Sequence, residues 1–210
     1  MRDRTSEADR EALWQVAQAL NRAARLEKPL PPLLFLTDPA RTSDPVGAAA
    51  RLPPGAAAIY RAFGDPYAVE TGRRLREITA ERGVRLLIGA DADLAEAVAA
   101  DGLHLPERAL AQAPALRARH AAWLITGAAH GAAALAAARE NGLDAALLSP
   151  VFESLSPSAG APLGAARFAE LVRTAGLPVY ALGGISARTA VELAQSGAAG
   201  LAAVGAFREV

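Results

Sequence analysis

Apolar positions along this chain fall into two alternating patterns. Leu33-Leu-Phe-Leu36, ending at Thr37, is an unbroken apolar run of strand length, which predicts a strand buried on both faces, as in a parallel sheet. Comparable runs at 56–61, 84–88, 102–105, 122–126, 145–149, 178–182 and 200–204 bring the strands to eight. The intervening segments carry helical spacing instead and predict helices over 46–51, 67–82, 94–100, 106–118, 132–141, 165–175 and 187–196. Ahead of the first strand, Leu13, Val16, Ala17, Leu20 and Ala24 share one helical face, and Ser6 with Asp9 supplies a capping signal. A helix over 7–26 follows, ended by Pro29, Pro31 and Pro32.

Strict strand–helix alternation predicts parallel strands joined by right-handed crossovers. Helices recurrently end at a glycine before the next strand, at Gly102, Gly142 and Gly197, where a left-handed stop is wanted. Eight strand units in 210 residues fit an α/β fold of the (β/α)8 TIM-barrel type, with an open doubly wound sheet as the alternative. Only residues 206–210 follow the eighth strand, so the last helix is truncated, and the N-terminal helix is expected to cover the gap. The expected organisation is a helix and linker over 1–32 packed on one barrel domain over 33–210.

Composition narrows the function classes. Basic and acidic residues both number 22, so charge gives no reason to expect nucleic acid or an anionic membrane as partner. Cysteine is absent, which removes thiolate chemistry and cysteine metal sites. The apolar runs are too short for a membrane helix, and the first residues carry no apolar signal core, so a cytoplasmic location is the expectation. The sole lysine, Lys28, precedes the first strand, which argues against a Schiff-base aldolase. His104, His120 and His130 fall at no ligand-like spacing, and no metal site is expected.

In such barrels the chemistry lies at the C-terminal strand ends. That yields Asp38, Arg61, Asp91, Asp93, His104, Glu107, Thr126, His130, Ser149, Glu153, Ser154 and Ser156 as candidates, with Phe63 and Phe152 added as pocket residues only through the family resemblance given below. Asp38 before Pro39 also reads as a turn residue, and Asp91 and Asp93 as a solvated loop or a helix cap. Arg61 needs an anionic partner, either substrate or Asp65. His130, in a loop of small residues after the fifth strand, suits proton transfer near neutral pH, against the alternative of capping the next helix. The segment 149–164 is long for a βα connection and reads as a lid. Gly183 and Gly184 stop one apolar run, Gly205 and Ala206 another, and Ser186 is a candidate N-cap. Backbone N–H groups there are the candidate phosphate cradle.

Leu36-Thr-Asp38, Ala100-Asp-Gly-Leu-His-Leu105, Ser149-Pro-Val-Phe152 with Pro162-Leu-Gly164, Ala181-Leu-Gly-Gly-Ile-Ser186 and Gly200-Leu-Ala-Ala-Val-Gly-Ala206, in this order, resemble the thiamine phosphate synthase family, including its TenI thiazole tautomerase branch. The resemblance implies a (β/α)8 fold binding thiazole phosphate or thiamine phosphate, with the phosphate at Gly183, Gly184, Gly205 and Ala206. The synthase joins a pyrimidine diphosphate to thiazole phosphate through a Gln-x-Arg-x-Lys motif, which here reads Ile59, Arg61 and Phe63. Its magnesium-binding Asn-Asp and Gly-Gln-Glu-Asp runs match Gly89-Ala90 and Pro106-Glu107-Arg108-Ala109, with Asp91 or Glu107 as substitutes by a small shift. Magnesium is therefore expected only on the synthase reading. The lid's Thr-x-Thr-Lys becomes Ser154-Leu-Ser-Pro157. The TenI histidine after strand five aligns with His130, so the leading expectation is proton transfer by His130 on thiazole phosphate. Synthase activity and a catalytically inactive ligand-binding or sensing barrel are the alternatives. The expected partner is a small phosphorylated thiazole or thiamine-like ligand, with a homodimer left open.

Overall fold

A computed structural model describes residues 6–154, 160–205 and 207. Eight parallel strands close on themselves in sequence order: β1 (Leu33–Leu36), β2 (Ala57–Tyr60), β3 (Arg85–Gly89), β4 (Gly102–Leu105), β5 (Leu124–Ala129), β6 (Ala145–Leu148), β7 (Val179–Ala181) and β8 (Gly200–Ala203). The helices are α1 (Glu7–Ala23), α2 (Pro45–Ala50), α3 (Ala68–Arg82), α4 (Ala92–Ala97), α5 (Ala113–Arg119), α6 (Ala132–Glu140), α7 (Gly164–Ala175) and α8 (Ala187–Ala190). Short 3-10 turns at Glu107–Gln112 and Val191–Leu193 complete the alternation. The fold is the (β/α)8 barrel that the apolar pattern predicts.

Boundaries fall within three residues of those expected except at the last helix. β5 starts and ends later than the predicted 122–126. The predicted helix 187–196 is reduced to four α-helical residues and one 3-10 turn.

Alternation along the strands splits the core in two. Leu34, Leu36, Ala57, Ile59, Leu87, Leu124, Ala145, Leu147, Tyr180 and Ala202 fill the barrel interior. Leu33, Phe35, Ala58, Tyr60, Leu86, Ile88, Leu103 and Ile125 face the helices. Every strand residue from Leu33 to Leu36 and from Ala57 to Tyr60 is buried, which is why these strands read as unbroken apolar runs.

Helix α1 is set by a capping box: the Ser6 hydroxyl accepts from the Asp9 N–H at 3.1 Å, and Asp9 Oδ2 accepts from the Ser6 N–H at 3.1 Å. Such a cap stabilises a helix by about 1 kcal/mol. Its buried face, Leu13, Ala17 and Leu20, packs on α8, β8 and β1, and Asn21 Nδ2 donates to the carbonyl of Ala199 at 2.8 Å. The helix thus covers the β8–β1 seam. Phe207, 1% exposed, lies edge-on to Phe35 at 5.9 Å.

Candidate functional site

The strand alternation that sorts the core also sorts the barrel mouth. Gly89 pairs in register with His104, and His104 with Thr126, one step above the Leu36, Ile59 and Leu87 layer. Extending the same alternation one step past β1 and β2 brings Asp38 and Arg61 to this face. The mouth is therefore built from residues two positions beyond the last interior apolar ones.

Arg61 follows β2 and leans over the sheet. A Cβ at Gly89 would come within 2.8 Å of Arg61 Cγ, so the side chain passes over the glycine. Its Nε donates to the Thr37 carbonyl at 2.7 Å, and one terminal nitrogen reaches Asp38 Oδ2 at 3.4 Å. Arg41 meets the same carboxylate oxygen at 3.0 Å. The Arg41 hydrogen bond, aided by the charges of Arg41 and Arg61, holds the Asp38 carboxyl below its usual range against the opposing effect of burial. Burial, against the attraction of Asp38, lowers the Arg61 guanidinium from its ordinary value. Asp38 is thus the anionic partner of Arg61. Asp65 is not: it accepts from the Tyr67 N–H at 2.9 Å and lies 3.4 Å from the Tyr60 hydroxyl.

His104 is 7% exposed, with Nδ1 2.9 Å from the Thr126 hydroxyl. Burial first, and the charge of Arg61 second, push its pKa down to about 4, so the ring is neutral at physiological pH. His104 and Thr126 therefore form the polar floor of the mouth rather than its walls. His130, by contrast, is exposed and does not cap α6. The N-cap position belongs to Gly131 and carries no side-chain cap. The ring Nδ1 of His130 lies 2.6 Å from Glu107 Oε2, and the same oxygen accepts from the His130 N–H at 3.0 Å. Glu107, at the start of the 3-10 turn after β4, stands 23 residues away in sequence. That pairing has no sequence signal, because the turn geometry that makes it lies in two separate loops.

The two glycines after β7 adopt left-handed backbone conformations, φ 94° at Gly183 and 66° at Gly184, which a side chain at either position would strain. Space demands glycine as well, since a Cβ at Gly184 would sit 2.4 Å from the carbonyl oxygen of Glu153. The loop after β6 is stitched onto this turn: Val151 N–H donates to Leu182 O at 2.9 Å and Phe152 N–H to Gly183 O at 3.0 Å. Its far end returns through Leu163 N–H to Pro150 O at 3.0 Å and Gly164 N–H to Val151 O at 2.8 Å. Ser149, the residue after β6, donates its N–H to Ala129 O at 3.0 Å.

Among the described residues, no acceptor meets the N–H groups of Gly183, Gly184 or Gly205, so these donors are available at the mouth. The first turn of α8 contributes less than its sequence suggests. Its capping box consumes the Ser186 N–H on Thr189 Oγ1 at 3.0 Å and the Thr189 N–H on Ser186 Oγ at 3.3 Å. Ser156 and Ala206 lie outside the described residues.

A sequence model of the thiamine monophosphate synthase family matches residues 34–207. The chain belongs to that family. A protein of Geobacter sulfurreducens, named provisionally a thiamine-phosphate synthase, is 37% identical over 140 residues, 66% of each chain. A second so named, from Aquifex aeolicus, is 32% identical over 137 residues, 65% of this chain and 73% of its own. The bifunctional ThiM/ThiE protein of Symbiobacterium thermophilum is 35% identical over 142 residues, which are 67% of this chain and 30% of that one. The chain thus spans just under two thirds of the first relative and under a third of the last. A solved thiamine phosphate pyrophosphorylase from Pyrococcus furiosus shares the fold, with a TM-score of 0.71 and 23% identity over 82% of this chain and 84% of its own.

Magnesium, which synthase chemistry implies, does not fit the synthase-family positions of this chain. Gly89 and Ala90 carry no ligand atoms in their side chains, Asp91 spends a carboxylate oxygen on the Leu94 N–H at 2.8 Å as N-cap of α4, and Glu107 is engaged by His130. Among the described residues no three acidic or histidine side chains gather as a metal-binding group. No helix of the described residues is long and apolar enough to cross a membrane.

Proposed function

We propose that this member of the thiamine phosphate synthase family binds a phosphorylated thiazole-type ligand, with its phosphate at the Gly183, Gly184, Gly205 and Ala206 turns, and that His130 moves a proton on the bound ring. The observation that carries this reading is the Glu107 carboxylate on His130 Nδ1 at 2.6 Å. Held by that carboxylate, Nδ1 carries the hydrogen and Nε2 presents a lone pair, so the ring can take a proton from one ring atom and return it to another. No electrons change hands and no second substrate is consumed, so the step balances as a shift of one proton. Unpaired backbone donors at the glycine turns support a single phosphate, which needs far less charge compensation than a diphosphate.

A second reading is the joining of a pyrimidine diphosphate to thiazole phosphate, and the names of the relatives support it better than they support proton transfer. Against it stand Phe63 where the synthase motif has lysine and the absence of a fitting magnesium site among the described residues. The purified protein separates the two. Proton transfer predicts conversion of unaromatised thiazole phosphate without metal, abolished in His130→Ala. Joining predicts thiamine phosphate formed from both phosphorylated rings with magnesium. Binding of thiazole phosphate with neither turnover would leave a ligand-binding barrel and refute both.

A further inference from the structure

At the end of the barrel opposite the mouth, where the strands begin, a cavity of about 470 Å3 opens between the linker from α1 to β1 and the turns that enter β6, β7 and β8. Its walls are apolar: Leu26, Leu30, Leu143, Val172, Leu177 and Val179. Asn21 holds one side of it in place, since its Nδ2 donates to the carbonyls of Leu30 at 3.2 Å and Ala199 at 2.8 Å and so pins the linker to the turn before β8. An apolar cavity of roughly 300–1,000 Å3 edged by a few polar groups is the usual form of a small-molecule site.

Arg25 stands at the lip of this cavity. It follows the last turn of α1 with φ 47°, the left-handed position that helix stops usually give to glycine. The three other turns that border the cavity keep that rule, with φ 69° at Gly142, 67° at Gly176 and 77° at Gly197. An arginine there strains the backbone, and no contact within the fold offsets it: Arg25 is exposed and has no hydrogen-bond or ion-pair partner among the described residues. Lys28, the chain's sole lysine, lines the same cavity, 80% exposed and 3.8 Å from Asp144 Oδ1. Asp144 is already matched by Arg117 and by the Ile125 N–H, which leaves Glu27 alone against Arg25 and Lys28. The lip therefore carries a surplus of positive charge over an apolar interior. We propose that this cavity binds a small amphipathic carboxylic acid, with its apolar body against Leu26, Leu177 and Val179 and its carboxylate at Arg25 and Lys28. The site goes beyond the proton-transfer reading and does not depend on it, since it lies at the far end of the barrel from His130 and the glycine turns.

The test is calorimetry on the full chain with octanoate, with octylammonium as the same chain bearing the opposite charge, and with acetate as the carboxylate without the chain. Saturable binding of octanoate that neither other probe matches, weakened about fivefold or more in the double variant Arg25→Gly, Lys28→Ala, supports the site. No saturable octanoate binding, equal binding of octylammonium or acetate, or an affinity that the double variant leaves unchanged overturns it. Arg25→Gly alone should raise Tm, because glycine takes the left-handed conformation without strain, whereas a lowered Tm would show that the arginine serves the fold and overturn the inference. Inorganic phosphate, read by NMR at Gly183 and Gly184, should not displace octanoate. Competition between the two would put the acid at the mouth and overturn the site, while failure of phosphate alone would count only against the glycine turns.

Discussion

A single carboxylate oxygen of Glu107 accepts from both the ring Nδ1 and the backbone N–H of His130, at 2.6 and 3.0 Å. The carboxylate therefore fixes the orientation of the ring and favours the hydrogen on Nδ1, which on the proton-transfer reading leaves Nε2 for the chemistry. On that reading Glu107 is a positioning residue. Glu107→Gln should keep the fold and lower turnover about tenfold to a hundredfold, whereas His130→Ala should abolish it, as expected of a proton-transfer group and its support. Steady-state assays check the ranking, and equal activity in Glu107→Gln and the parent would remove the carboxylate from the account.

Gly184→Ala tests the anion turn. The new methyl would stand 2.4 Å from Glu153 O and 2.7 Å from Phe152 Cβ, at φ 66°. The loop after β6 must lift, at a cost of about 1–3 kcal/mol. Calorimetry with thiazole phosphate should show affinity reduced tenfold or more, and a variant that binds as the parent does would place the phosphate elsewhere.

How much of this was legible in the sequence depended on whether the cause was local. The eight strands were legible because both faces are buried, so alternation vanishes and only apolar runs remain. The later end of β5 was not. Gly127-Ala128-Ala129 reads as a loop, yet the glycine is there because Leu110 and Leu143 methyls lie 2.3 and 2.5 Å from where its Cβ would be, a contact from two distant segments. Arg61 announced its need for an anion, with substrate and Asp65 as the candidates, where the register of β1 on β2 delivers Asp38. His130 was open between cap and proton carrier; the structure removes the cap, whose position is Gly131, and sets Glu107 of another loop beside the ring. Phe63 stood out as a pocket residue and a lost lysine, but its φ of 49° did not, since a positive φ leaves no mark on residue identity when the residue is not glycine or asparagine.

His104 sets a pH dependence with a definite sign. Its pKa falls from 6.5 unfolded to about 4 folded, so the unfolded chain binds the proton more readily. Stability is then complete above pH 6.5 and declines as pH falls toward 4, by up to about 1.4 kcal/mol per pH unit from this group. His104→Gln should flatten the decline in a denaturant series between these pH values. An unchanged slope would mean that other groups carry the acid sensitivity.

Asp38→Asn should leave Arg61 and Arg41 without their shared carboxylate. With the Arg61 side chain 24% exposed and Asp38 18%, the expected loss is about 1–2 kcal/mol, below that of a fully buried pair. Chemical denaturation reads it, and a double variant with Arg61→Met should recover part of the loss.

The placement of α1 on the β8–β1 seam has a kinetic consequence. Asn21 meets Ala199 across 178 residues, and β1 pairs with β8, Leu33 opposite Leu201. During synthesis the apolar face of α1 and the open edge of β1 must wait for nearly the whole chain before their partners exist. The nascent protein is therefore exposed to misassociation until the last strand leaves the ribosome, and barrel closure is a late, slow event dominated by long-range contacts.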